Sequence, residues 1–515
     1  MKENLRSNLF NSISVAGIFF FIASCILTPK PYLFMLTAAQ LIFIPVMLQL
    51  LVELKRRQVI FIWFVMVSLV LLQVVPSRTG QMLLALVYVA FTFFVAFHGL
   101  RRFFKRGFTN WAEMSIDIGM MYLLIGGLWF FAYVTGIDTG FSPLITWLTA
   151  IHFHYSAFLF PISVGLFGRL HESGWYRLIV AIILAGPMLV AMGITFWPLL
   201  EFISVMLYIF AIYGLIILAF RTHFPLKVQA ILIRISYSAL GVTILFSLLY
   251  VTNHIFWFAR IDFMLIFHGF TNCFFFGMLG VLGWVVAPPK TSQAIWRFPV
   301  SQIRGSLEST GGQRAGLVDN LSDFVHIKTL PKTIVDFYEH TDQYRLFASV
   351  KWSTWFKPLA VCYKLISTQL QQLNLPLSSK WTEMTCNICA VDPMLDGRKN
   401  PRAWIRQVKE KTVFTAIYSR HETKGMTYMN IALPLPHSSM IGILQLKASD
   451  GTLILTSEGE GDPGIYLAIG KTLFKLPLSE NFIIQETREG KLAAHHNMKI
   501  FGIPFLKINY SIIQK

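Results

Sequence analysis

Seven residues within the first 288 carry chemistry that an apolar setting makes expensive: Glu113, Asp117, His152, His154, Tyr155, His268 and Asn272. Neutral imidazole ligates transition metals or haem, and an imidazole beside a carboxylate can relay protons. Spacing sorts the set. Glu113 and Asp117 are four apart and share one helical face, as do His268 and Asn272. His152 and His154 are two apart, about 200° of helical rotation, so a regular helix aims only one of them inward. His152 with Tyr155 then forms the coherent polar face, and both histidines serve one site only where the helix is locally unwound. An ionisable group at membrane depth costs at least ~2.5–3.5 kcal/mol, which makes each a site candidate by default. For any one residue, hydrogen bonding that glues spans together is an equal reading. For His152, His154, Tyr155, His268 and Asn272 as a set, a functional pocket is favoured. A metal would fall to His152, His154 and His268, but coordination needs three or four well-placed ligands.

The elements that must hold these groups are membrane spans. Hydrophobic residues make up 55% of the 515 and charged ones 14%, against roughly 45–50% and about 25% in soluble proteins. A span needs about 20 apolar residues as helix. Ten stretches approach that length: Ser12–Thr28, Pro31–Val52, Val59–Val75, Met82–Leu100, Trp111–Thr135, Leu144–Phe167, Leu178–Phe196, Leu199–Phe220, Val228–Val251 and Ile261–Val286. The predicted organisation is a ten-helix domain over 1–288, a linker over 289–330 and a β-rich domain over 331–515. The sixth and tenth spans carry their histidines seven to ten residues from the same end. At ~1.5 Å per residue this places them some 10–15 Å below one surface.

Charge orients the spans. Lys2, Arg6, Lys55, Arg56, Arg57, Arg101, Arg102, Lys105, Arg106, Arg169, Arg177, Arg221, Lys227 and Lys290 fall on one side, against Lys30, Arg78 and Arg260 on the other. By the positive-inside rule both termini are cytoplasmic in a multi-pass protein of the cell membrane. A net charge of +18 placed in these loops speaks for anionic headgroups of the bilayer as partner, not nucleic acid. Near the N-terminus, Ile22-Ala23-Ser24-Cys25 also reads as a lipobox, whose cleavage would leave a lipidated Cys25. An uncleaved helix is favoured because the chain stays apolar through Ile26 and Leu27. The other polar groups have milder settings. His98, His171 and His223 fall at the cytoplasmic interface, and Glu201 and Asp262 near the outer ends of their helices. Gly126-Gly127 and Gly277, Gly280 and Gly283 mark close helix packing.

The stretch Ile151-His152-Phe153-His154-Tyr155-Ser156-Ala157-Phe158, then His268-Gly269-Phe270-Thr271-Asn272, resembles the YndJ-like family of bacterial membrane proteins. The run His496-Asn497-Met498-Lys499-Ile500-Phe501-Gly502-Ile503-Pro504-Phe505-Leu506 is similar to the end of that family. The chain departs from the pattern at Ser156-Ala157, where the family has Ala-Gly, and at Cys273, where it has Ala. The resemblance implies a membrane part followed by a soluble part and supports the same polar residues, without implying a reaction.

Pro288-Pro289 ends the last helix. Beyond the linker, Thr333–His340 and Phe356–Leu373 read as helices and Tyr344–Trp352 as a strand. Val413–Tyr418, Thr427–Leu433, Ile441–Leu446, Thr452–Thr456, Ile465–Ile469 and Phe482–Gln485 read as strands, with Asp450-Gly451 a hairpin turn. Phe505–Ile513 alternates, with Leu506, Ile508, Tyr510 and Ile512 on one face. An antiparallel barrel or sandwich is predicted. Cys386 and Cys389 lack the second ligand pair of a zinc site and read as two free thiols. His495-His496 is read as solvated. No phosphate loop, nucleophile elbow or kinase-type set is present.

Three functions remain open. The intramembrane pocket could bind a metal, haem or a lipid-like substrate. A transporter or channel could use Asp117 and the mid-membrane histidines as proton or ion sites, although the two halves show no internal similarity. A sensor or scaffold could bind a hydrophobic ligand inside the cytoplasmic β domain.

Overall fold

The computed structural model describes residues 12–27, 33–108, 110–251, 261–291, 296, 298–305, 307, 311–370, 372, 374–459, 461–470 and 472–515. Lys2, Arg6, Lys30 and Arg260, and the expected boundaries Thr28, Pro31 and Leu373, lie outside the described residues. The chain divides into two compact units, 1–103 with 110–293, and 104–109 with 294–515.

The named elements of the first unit, among the described residues, are all helices. Its helices are α1 Ser12–Leu27, α2 Leu33–Leu51, α3 Arg56–Leu71, α4 Arg78–Arg106 and α5 Trp111–Thr135. They continue as α6 Pro143–Gly168, α7 Gly174–Phe196, α8 Pro198–Arg221, α9 Lys227–Val251 and α10 Met264–Val286. Eight of the described helices are long and apolar enough to cross a membrane. The other two, α1 and α3, have 16 residues each, or ~24 Å at 1.5 Å per residue, short of a ~30 Å core. Local chemistry sets several ends. The Asn110 side chain accepts from Glu113 N to start α5, and Gly136 ends it with φ of 67°; a left-handed cap of this kind suits glycine. Ser142 caps α6 ahead of Pro143, a residue suited to a first helical turn.

Three helices depart from regular α geometry. Ala39–Phe43 in α2, Phe153–Leu159 in α6, and Met264–His268 and Asn272–Met278 in α10 are π-helical. Such wide turns are rare and recur at functional sites. They also void the rotation argument for His152 and Tyr155, which assumes a regular helix.

The second unit is built around one sheet. Its strands are β1 Tyr344–Trp352, β2 Thr382–Ala390, β3 Arg402–Val408, β4 Lys411–Thr423, β5 Met426–Leu435 and β6 Ser438–Ser449. β7 Thr452–Thr456, β8 Gly464–Ile469, β9 Thr472–Lys475, β10 Leu478–Glu486, β11 Leu492–Ile500 and β12 Ile503–Gln514 complete it. The order β5-β4-β3-β2-β1-β12-β11-β10-β7-β6 returns to β5 through the β5–β6 pairing, so ten antiparallel strands close a barrel, and β8-β9 extend from β6. Closure removes the unpaired edges that an open sheet must protect. Asp450 and Gly451, with φ of 48° and 73°, join β6 to β7 in the two-residue turn that their residue types favour.

β4, β5 and β6 are apolar on both faces, which a barrel lining alone does not require. Their inner residues, among them Met429, Ile431 and Leu444, join the interior core. Their outer residues Ile417, Ala432, Ile441 and Ile443 form a second core with Tyr466 and Ala468 of β8 and with Phe298. The described part of the stretch expected to be a linker is thus packed: Phe298 stacks on His421 at 5.2 Å, and Leu317 and Leu321 are buried. Helices α11 Lys332–Glu339 and α12 Lys357–Leu370 adjoin the barrel, and Phe337, Tyr338 and Tyr363 from them reach its interior.

Candidate functional site

The carboxylates of α5 are taken up by arginines. Arg102 of α4 donates Nε to Asp117 Oδ1 at 2.6 Å, Nη2 to Glu113 Oε2 at 3.0 Å and Nη1 to the Leu51 carbonyl of α2 at 2.7 Å. Arg169, just past α6, donates Nε and Nη2 to Glu113 Oε1 and Oε2 at 2.7 and 3.1 Å. Its Nη1 reaches the Pro289 carbonyl beyond α10 at 2.9 Å. Both carboxylates are 1% exposed. Among the described contacts each carboxylate is paired with a guanidinium, the condition under which buried ions are tolerated. The network ties α2, α4, α5 and α6 to the end of α10. It does not include the histidines.

The α6 motif separates into three roles. His154 is fully buried; its Nδ1 lies 2.8 Å from the Ala150 carbonyl and its Nε2 2.6 Å from the Tyr88 hydroxyl. A carbonyl only accepts, so Nδ1–H donates and Tyr88 donates to Nε2. Both nitrogens are used, and His154 has no lone pair left for a metal in this arrangement. Gly126 of α5 makes the packing possible, since a Cβ there would lie 2.8 Å from His154 Nδ1. Tyr155 turns toward α2 and donates to the Met35 carbonyl at 2.7 Å. His152 is exposed and donates Nδ1 to the Leu148 carbonyl at 2.6 Å.

α6 and α10 do meet. Phe160 packs edge-on against Phe276 at 5.8 Å, and Trp284 Nε1 donates to Ser163 at 2.8 Å. A Cβ at Gly277 would lie 3.2 Å from the Tyr155 ring. His268 Nδ1 donates to the Thr243 carbonyl at 3.2 Å, and Asn272 Oδ1 accepts from Thr243 Oγ1 at 2.9 Å, which brings α9 into the cluster. The structure therefore joins His268 and Asn272 through Thr243, and sets Glu113, Asp117, His152 and His154 into bonds elsewhere. Among the described residues, no group of three or more His, Cys, Asp or Glu is placed to hold a metal ion. Cys25 sits within the uninterrupted helix α1. Arg234 of α9, not singled out above, caps the end of α8 by donating to the carbonyls of Ala219 and Phe220 at 3.1 and 3.3 Å.

The barrel holds a second candidate site. Its interior encloses a cavity of about 530 Å³, lined by aliphatic and aromatic side chains with a few polar groups: Arg406, Glu480, His496, Tyr418 and Tyr510. Leu506, Ile508, Tyr510 and Ile512 of β12, the apolar face of the expected alternation, all line it. His496 is not solvated: its ring stacks on Phe482 at 3.7 Å and its Nε2 donates to Glu480 Oε2 at 3.0 Å. Arg406 lies between Trp404 and Phe414, 4.3 and 4.0 Å from their ring centres. Burial pushes the Tyr418 hydroxyl up to about 12, so it remains a neutral O–H. Cys386 and Cys389 of β2 are free, and burial pushes the Cys386 thiol up. The cavity residues of β3 and β11 carry weak strand signals, and only the ladder shows that they face inward.

Helices of membrane-spanning length followed by a closed β-barrel define an integral membrane protein with an appended β domain. A family model described as YndJ-like protein matches residues 34–276. The chain is 39% identical over 460 residues, 83% of each protein, to the uncharacterized membrane protein YndJ of Bacillus subtilis (strain 168). It belongs to the YndJ-like family. No solved structure matches it.

Proposed function

We propose that the protein is a membrane-anchored binder of a lipid-like molecule, held inside the β-barrel on the cytoplasmic side. One observation carries this reading: ten closed strands surround about 530 Å³ of mostly apolar space. Ligand cavities typically measure ~300–1,000 Å³, and barrels of about eight strands already hold one small ligand. An apolar occupant supplies the lining with the dispersion contacts that an unfilled space forfeits. The excess of basic residues on alternate loops supports the cytoplasmic placement, both termini inside a cell membrane and anionic headgroups as the flanking partner.

Ala494 of β11 is buried and lines the cavity, so Ala494→Trp fills ligand space without replacing a packed side chain. The full chain, exchanged from detergent into amphipol, is expected to carry a lipid-like molecule detectable by native mass spectrometry. The variant should carry about tenfold less, since overpacking strains tightly packed cores more than voids. A wild-type protein without any bound apolar molecule would sink the proposal.

A second reading rests on His152 and His268 lying beside π-helical turns on two helices that meet. Two imidazoles fall short of a closed metal site but suffice as axial ligands of a haem. If they act so, purified protein shows a Soret band that His152→Ala and His268→Ala each abolish. A colourless wild-type protein, produced with haem supplied, removes this reading.

A further inference from the structure

We infer that the barrel ligand is a long-chain fatty acid whose carboxylate is bound by Arg406; this rests on the barrel being the ligand site. The first support is a guanidinium inside the cavity that lacks a carboxylate partner among the described residues. The cavity lining includes one acid, Glu480, and two basic side chains, Arg406 and His496. Glu480 is bonded to His496 at 3.0 Å. Arg406 is left, 6% exposed, with its Nε lacking a hydrogen-bond partner and with no carboxylate at ion-pair distance among the described residues. A buried guanidinium stacked between aromatic rings and without a carboxylate partner is an incomplete arrangement, because burying a charge is tolerated when it is paired.

The second support is the company Arg406 keeps. The Tyr510 hydroxyl lies beside the guanidinium, and Tyr418 is near enough to feel its charge. A planar guanidinium with neighbouring O–H donors matches a carboxylate, which accepts bidentate bonds. The rest of the lining is apolar and suits a hydrocarbon chain. A volume of about 530 Å³ lies within the ~300–1,000 Å³ of single-ligand sites, which suits one acyl chain with its carboxylate.

The test uses the full chain in phosphatidylcholine nanodiscs and hexadecanoate carrying a photoreactive diazirine near its methyl end, with labelled peptides mapped by mass spectrometry. Labelling should fall on barrel strands and be displaced by unlabelled hexadecanoate at about 10- to 100-fold lower concentration than by hexadecanol, the range expected for one charge-assisted contact. Arg406→Met should erase that preference while hexadecanol still competes, and Arg406→Lys should keep part of it. Equal competition by acid and alcohol, unaltered in Arg406→Met, overturns the carboxylate inference and leaves the lipid-like reading standing. Tighter competition by hexadecyl phosphate than by hexadecanoate also overturns it. Absence of barrel labelling, together with no competition by any single-chain compound, removes both readings.

Discussion

Replacing Glu113 by alanine is expected to destabilise the helical unit by about 3–5 kcal/mol, the usual cost of removing one partner from a buried ion network. Glu113 alone receives three of the hydrogen bonds from Arg102 and Arg169. Without it two guanidiniums, 16% and 9% exposed, face a single carboxylate on Asp117. The consequence reaches across the bundle, because the same arginines hold the Leu51 and Pro289 carbonyls. Thermal unfolding of detergent-solubilised protein, followed by loss of monodisperse protein after heating, reads the effect. Asp117→Asn should cost less, since one hydrogen bond from Arg102 is weakened rather than a chelated carboxylate lost. Combining Glu113→Ala with Arg169→Met should recover part of the loss by removing the stranded charge. A Glu113→Ala protein that melts like the wild type would show that the network does not hold the helices together.

The β domain contains a matching device. Asp396 and Arg398 are both fully buried and joined by two hydrogen bonds of 2.6 and 3.0 Å. Asp396 ends the short helix α13 Pro393–Asp396 and also accepts from Ser301 Oγ at 2.6 Å. Arg398 continues to the Asn430 carbonyl and side chain, each at 2.8 Å, and to the Ile417 carbonyl at 3.1 Å. The pair therefore clamps the 298–305 segment onto the outer faces of β4 and β5. Asp396→Ala strands a guanidinium that has no route to water, again at about 3–5 kcal/mol. For a domain of this size that corresponds to a fall in melting temperature of roughly 6–20 °C. Hydrogen exchange on the full chain should show β4, β5 and residues 298–305 losing protection together. Loss confined to α13 would mean that the clamp is local.

Much of the fold was legible because its signals are local. Each helix from α1 to α10 corresponds to an expected apolar stretch, since lipid leaves backbone polar groups no partner outside the helix. Strand β7 was read at its observed limits, and the Asp450-Gly451 turn specifies its own geometry through two left-handed residues. β2, β3, β9 and β11 were not read as strands. Thr382–Ala390 is short of large apolar residues, and Leu492–Ile500 places two alanines and two histidines where a strand usually alternates. Their strand state comes from neighbours: β11 is held along nearly its whole length by β10 and β12.

The amino-acid sequence by itself determined that this is a membrane protein of many spans and that a β-rich domain follows Pro288-Pro289. Hydropathy, loop charge and turn chemistry are properties of short segments, so they can be read without a fold. The tertiary structure alone decided how the ionisable groups are used. Arg169 and Glu113 are 56 residues apart, and nothing local links them; packing of α5 against α6 turns a loop cation and an intramembrane acid into one ion network. A π-helical turn, set by packing, sends Tyr155 to α2 and His154 to Tyr88. Closure of the barrel decides that Arg406 and His496 point inward, because a strand offers two faces and only its partners determine which is enclosed.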